Sequence, residues 1–81
     1  MDVFNWQEQL QKYNISQHKI ETSKYAIICF EHESGWGTKV DDVVYADSMS
    51  SAAKFVAAFE TFHKSQPTTP GWDYTMQIQS I

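Results

Sequence analysis

Lys24-Tyr25-Ala26-Ile27-Ile28-Cys29-Phe30-Glu31 decides how this chain is read. It is the longest apolar run and is rich in β-branched and aromatic side chains. Such a run predicts a strand buried on both faces, and therefore the middle strand of a small sheet.

Downstream, His32-Glu33-Ser34-Gly35-Trp36-Gly37-Thr38-Lys39 sets glycines on either side of a tryptophan. That pattern marks a bend, because glycine alone reverses the chain without steric cost. Val40 to Ala46 resumes a strand pattern around Val43-Val44-Tyr45, so the two runs form a hairpin. A helix starting at Asp47 or Ser48 then runs to about Ser65. Met49, Ala52, Phe55, Val56, Phe59, Phe62 and His63 recur on it at helical spacing. Pro67 and Pro70 end it. From Trp72 to Ser80 large and polar residues alternate, which predicts a strand with one wet face.

Upstream, Val3, Trp6, Leu10 and Tyr13 form an apolar stripe on a first helix, with Asp2 as its expected cap. So short a helix is marginal alone and must dock on the sheet. It is expected beside the second helix or partly over the opposite face. Between Asn14 and Ser23 the pattern is weak. His18 to Thr22 reads either as a short edge strand paired with the central one or as a loop.

The expected fold is a single α+β domain over residues 1–81: a three- or four-stranded antiparallel sheet with two helices, order α-(β)-β-β-α-β. The last strand slots beside residues 24–31, opposite the hairpin mate. A right-handed helical crossover allows this.

The composition excludes several functions. Six bases against ten acids leave a net charge of −4, and every base is a lysine. Without arginine the chain lacks the usual bidentate reader of phosphates and bases. Nucleic acid and anionic membranes are therefore not expected partners. A single cysteine, Cys29, excludes an internal disulfide and fits a reducing compartment. No basic, apolar leader opens the sequence, and an intracellular, cytoplasmic location is expected. In a virus-encoded protein that would be the host cytoplasm.

No catalytic motif stands out, and neither a metal nor a cofactor is expected. The chain carries no GxSxG elbow, no HExxH and no phosphate loop. Cys29 reads as a small core residue and His63 as a partner of the helix end. The candidate partner-binding residues are Glu31, Glu33, Trp36, Lys39, Asp41, Asp42 and Asp47. The acids would attract a basic surface, and Trp36 would anchor the contact.

The expected function is a small acidic, non-enzymatic protein-binding module. It would act as an inhibitor or accessory protein of bacterial or viral type, masking a basic surface of a larger target such as a nucleic-acid enzyme. Two alternatives stand beside it. One is a homo-oligomer, in the simplest case a homodimer, assembled through the sheet edge or open sheet face. The other is a small-ligand or metal-binding domain with a cleft lined by Trp36, Trp72, Tyr45 and Tyr74.

Overall fold

A computed structural model describes residues 5–35, 37–65 and 72–81, with the side chains of Ser65 and Trp72 excepted. Along the chain come α1 (Trp6–Lys12), β1 (Ile15–Ser16), β2 (Tyr25–Glu33), β3 (Gly37–Ala46), α2 (Met49–Ser65) and β4 (Trp72–Ser80). The strands form one four-stranded sheet in the order β1-β3-β2-β4. Every neighbouring pair is antiparallel. The apolar run thus lies between its hairpin mate and β4, and the expected α+β architecture holds.

Asn5 caps α1, its side-chain oxygen accepting from the Glu8 amide at 3.1 Å. The expected cap, Asp2, lies outside the described residues. Capping at Asn5 with Glu8 three positions on matches the spacing that satisfies orphan donors at a helix start. The helix ends at Lys12 with Tyr13 as its C-cap, and the next residue, Asn14, takes a left-handed φ of 57°. Asparagine tolerates that region better than most residues. The turn throws Ile15 directly into the sheet.

The short edge strand is therefore Ile15–Ser16, paired with Ala46 and Tyr45 of β3. Of the two readings of His18–Thr22, the loop holds and the edge strand beside the central one does not. Those residues form no strand, and Ile20 is 53% exposed. At the hairpin tip Gly35 and Gly37 take φ of 85° and 90°. Added methyl groups would meet nothing within 4 Å, so conformation rather than space calls for glycine there.

Both helices pack on the same side of the sheet. The core joins Leu10 and Ile15 with Ile27, Val44 and Ala46 of the strands, and with Ala52 and Phe55 of α2. Trp6 and Tyr13 meet the Phe55 ring edge-on, at centroid distances of 5.5 and 6.5 Å. Tyr25, Met76 and Ile78 line the same layer. Register explains this set, because Ile27 lies opposite both Val44 and Ile78, and alternate residues share a face.

The opposite face carries Ala26, Ile28, Phe30 and His32 of β2 beside Val43 and Tyr45 of β3. Among the described residues no helix covers it. Ile28 and Phe30 are only half-buried, so the central strand is not buried on both faces as expected. Met49, assigned to the apolar stripe of α2, is also exposed, at the first residue of the helix.

Candidate functional site

The hairpin end of the sheet gathers most of the residues singled out for binding. Near it, β3 carries a bulge. Cys29 lies opposite Asp42 and Phe30 opposite Val40, so Asp41 is the extra residue. The irregularity leaves two consecutive aspartates exposed. The Asp42 carboxylate accepts from the Val43 amide at 2.8 Å, which fixes its orientation.

Glu31 behaves differently. It is 7% exposed. The Lys39 ammonium lies 3.1 Å from one carboxylate oxygen, and the Tyr74 hydroxyl donates to the other at 3.0 Å. Register places these three side chains side by side on the helix-covered face, Lys39 from β3 and Tyr74 from β4. The carboxylate raises the Lys39 ammonium above its ordinary pKa by accepting its hydrogen bond. Burial, followed by the bond to Glu31, raises the Tyr74 phenol. A buried carboxylate needs such partners, because unpaired burial of a charge is strongly unfavourable. Glu31, Lys39 and Tyr74 therefore link the three long strands, with the Lys39 side chain itself 70% exposed.

Of the remaining candidates, Glu33 is half-buried at the strand end. Asp47 stands past the far end of β3 and accepts from the Asn14 side chain at 3.2 Å. Some five residues of strand, roughly 17 Å, separate it from Asp42, so it does not join the acidic group. Trp36 lies outside the described residues. The exposed acidic pair of the hairpin is thus Asp41 and Asp42, with Glu33 farther along at the end of β2.

Sequence reasoning missed two links between elements, one across the strands and one from α2 to β4. The His32 ring bonds the Thr38 hydroxyl at 2.9 Å through Nδ1 and the Thr75 hydroxyl at 2.7 Å through Nε2. It laces β3, β2 and β4 across the open face. His63 pairs with Asp73 at 2.6 Å, stacks on Phe59 and meets the Tyr74 ring edge-on. The hydrogen bond from His63, first among the causes, lowers the Asp73 pKa. Neither link is readable before the register is known, since Asp73 and His63 come together only once β4 is placed.

The Cys29 thiol at this end is held in its protonated form. Burial, and after it Asp41, Asp42 and Glu31, push the Cys29 thiol up to about 11. That is the reverse of the electropositive setting that activates a thiol. A histidine bound to a carboxylate can orient a general base. Here, however, the rings of Phe59 and Tyr74 flank His63, and the Tyr74 hydroxyl is given to Glu31. No metal-ligating cluster occurs among the described residues.

The expected aromatic cleft does not assemble from Tyr45 and Tyr74. Tyr45 pairs with Ala26 on the open face, whereas Tyr74 pairs with Glu31 on the covered one. The side chains of Trp36 and Trp72 lie outside the described set. None of the described helices is long and apolar enough to cross a membrane. Comparison with models of known protein families, with curated proteins and with solved structures finds no match.

Proposed function

We propose that this protein is a small, non-enzymatic binding module that docks the acidic shoulder of its hairpin against a basic surface of a larger protein. The observation that carries the reading is the β3 bulge. It sets Asp41 and Asp42 outward and next to each other, on the same hairpin as Glu33. The one lysine between Tyr25 and Ala46 is Lys39, and Glu31 already holds it. The shoulder's charge is thus not neutralised within the hairpin. Carboxylates on a rigid strand steer a cationic partner and speed its encounter. Masking the basic groove of a nucleic-acid enzyme is one way such a module would inhibit.

The test is affinity capture from the native host with wild type and with an Asp41→Asn, Asp42→Asn, Glu33→Gln variant of matched stability. Wild type should retain a basic protein whose recovery drops steeply with added salt, and the variant should lose it. Equal recovery of the same proteins by both forms would refute the reading.

A further inference from the structure

Among the described residues both edges of the sheet are open, and they are built differently. β1 covers β3 only at Tyr45 and Ala46, which leaves the rest of that strand open. Its edge is protected by the bulge and by Lys39, Asp41 and Asp42, devices that discourage strand addition. Among the described residues β4 has no bulge, and its one charge, Asp73, sits near its start and is already paired with His63. Its register with β2 runs without a shift from Trp72 to Ser80, and from Tyr74 to Ile81 the sequence contains no charged residue. On an acidic chain, that is the segment best suited to approach by another strand.

The hydrogen-bond phase fixes which groups are on offer. The Ile81 amide donates to the Lys24 carbonyl at 3.0 Å, continuing the pairing of Tyr25 with Ser80. Ladder bonds alternate between the two sides of an antiparallel strand. Odd-numbered residues of β4 therefore bond inward to β2. Even-numbered residues, including Tyr74, Met76, Ile78 and Ser80, present their N–H and C=O groups outward.

We infer that β4 is a self-pairing edge, its occupant the β4 of a second copy running antiparallel about a two-fold axis at Met76. The strand is self-complementary in that register. All outward amides from Trp72 to Ser80 find partners. On the helix-covered face, half-buried Tyr74 lies opposite Ile78 of the partner subunit. On the open face, Thr75 lies opposite Gln77 of the partner subunit. Asp73, the one charged residue of the strand, lies opposite Gln79 of the partner subunit and never meets itself. Extending the sheet also enlarges the apolar layer of a chain too small to bury much surface alone. The inference does not depend on the acidic shoulder, which lies on the other edge.

Sedimentation equilibrium of the intact chain, from micromolar to millimolar concentration, tests it. An interface this narrow falls at the small end of the range, so a monomer–dimer equilibrium with Kd on the order of tens of micromolar is expected. Gln79→Lys places a cation opposite Asp73 and should tighten the dimer; Gln79→Glu should weaken it. The contact occurs twice per dimer, so each shift should be about 2- to 30-fold in Kd. Gln17→Lys and Gln17→Glu make the same charge changes on an exposed residue beside β1, at the opposite edge. They should move Kd far less, which separates a contact effect from one of net charge. A strict monomer throughout overturns the inference. So does a dimer whose Kd responds equally to the Gln79 and Gln17 pairs, because the interface would then lie elsewhere.

Discussion

Replacing Tyr74 by phenylalanine should damage this fold more than replacing Lys39 by methionine, although Lys39 carries the charge. Both side chains contact the Glu31 carboxylate, at 3.0 and 3.1 Å. They differ in surroundings, since the Lys39 side chain is 70% exposed and Tyr74 is half-buried. Water can replace the ammonium, and a screened ion pair of that kind stabilises little. The phenol is harder to replace, because its loss leaves one oxygen of a buried carboxylate without that donor. A hydrogen bond to a charged group contributes roughly 1.5–3 kcal/mol when buried, and half-burial argues for about 1–2 kcal/mol here. At about 4–8 °C per kcal/mol for a domain of this size, Tyr74→Phe should lower Tm by roughly 4–15 °C. Lys39→Met should produce a smaller drop that largely disappears in 0.5 M salt, about the concentration where charges a few ångströms apart are screened. Differential scanning calorimetry at two salt concentrations reads both effects. A Lys39→Met loss equal to or larger than that of Tyr74→Phe would refute the reasoning and make the ammonium the group that keeps Glu31 inside.

Four further outcomes follow from the packing and the protonation states. Phe55 is 0% exposed, and Phe55→Ala should cost about 3–5 kcal/mol, which urea titration would measure. A chain of 81 residues has roughly 4–12 kcal/mol in total, so the variant should approach half-unfolded at 25 °C if native stability is at the low end. With its pKa at about 11 instead of 9.0, native Cys29 should hold on the order of a hundredfold less thiolate at pH 8 than an unfolded control and react correspondingly slowly with a thiol reagent. The same shift makes stability fall as pH rises from about 9 toward 11, where only the unfolded thiol ionises. Asp73 has the opposite sign. Its folded pKa is lowered, so the contribution of its pair with His63 is complete above 3.8 and is lost as pH falls through the lower folded value. Carboxyl chemical shifts followed by NMR should show Asp73 titrating below the free-peptide range.

Long periodic segments were legible in the sequence, and single-residue decisions were not. The spacing of Ala52, Phe55 and Val56 and the alternation from Tyr74 to Ile78 repeat often enough to identify α2, β4 and the face each buries. The position of β2 between β3 and β4 followed from its apolar run. The same run misled on burial, because a continuous apolar stretch looks alike whether its second face is covered or merely half-shielded by neighbouring strands. Ile28 and Phe30 fall in the latter class. The short edge strand was hidden because one left-handed residue, Asn14, sets its start, and Ile15–Ser16 is too short to show a period. The acidic group was legible as composition. Its division into a buried, bonded Glu31 and an outward Asp41 and Asp42 depended on the bulge, which has no signature of its own. Asp73 read only as a strand residue and Tyr74 as a strand or cleft residue, since their actual partners lie far away along the chain.

The place of β4 beside β2 has a consequence for the order in which the molecule assembles. The β2–β3 hairpin closes over a handful of residues and can form within microseconds. The other side of β2 must wait for a strand that joins it after the whole of α2, as the pairing of Tyr25 with Ser80 shows. Until that distant segment arrives, the greasiest strand of the chain offers an unpaired flank to its surroundings. Contacts so far apart in sequence slow the search, and the exposed flank is where a stalled chain would begin to clump. Early hydrogen-exchange protection should therefore appear in the hairpin and in α2, with the terminal strand becoming protected last.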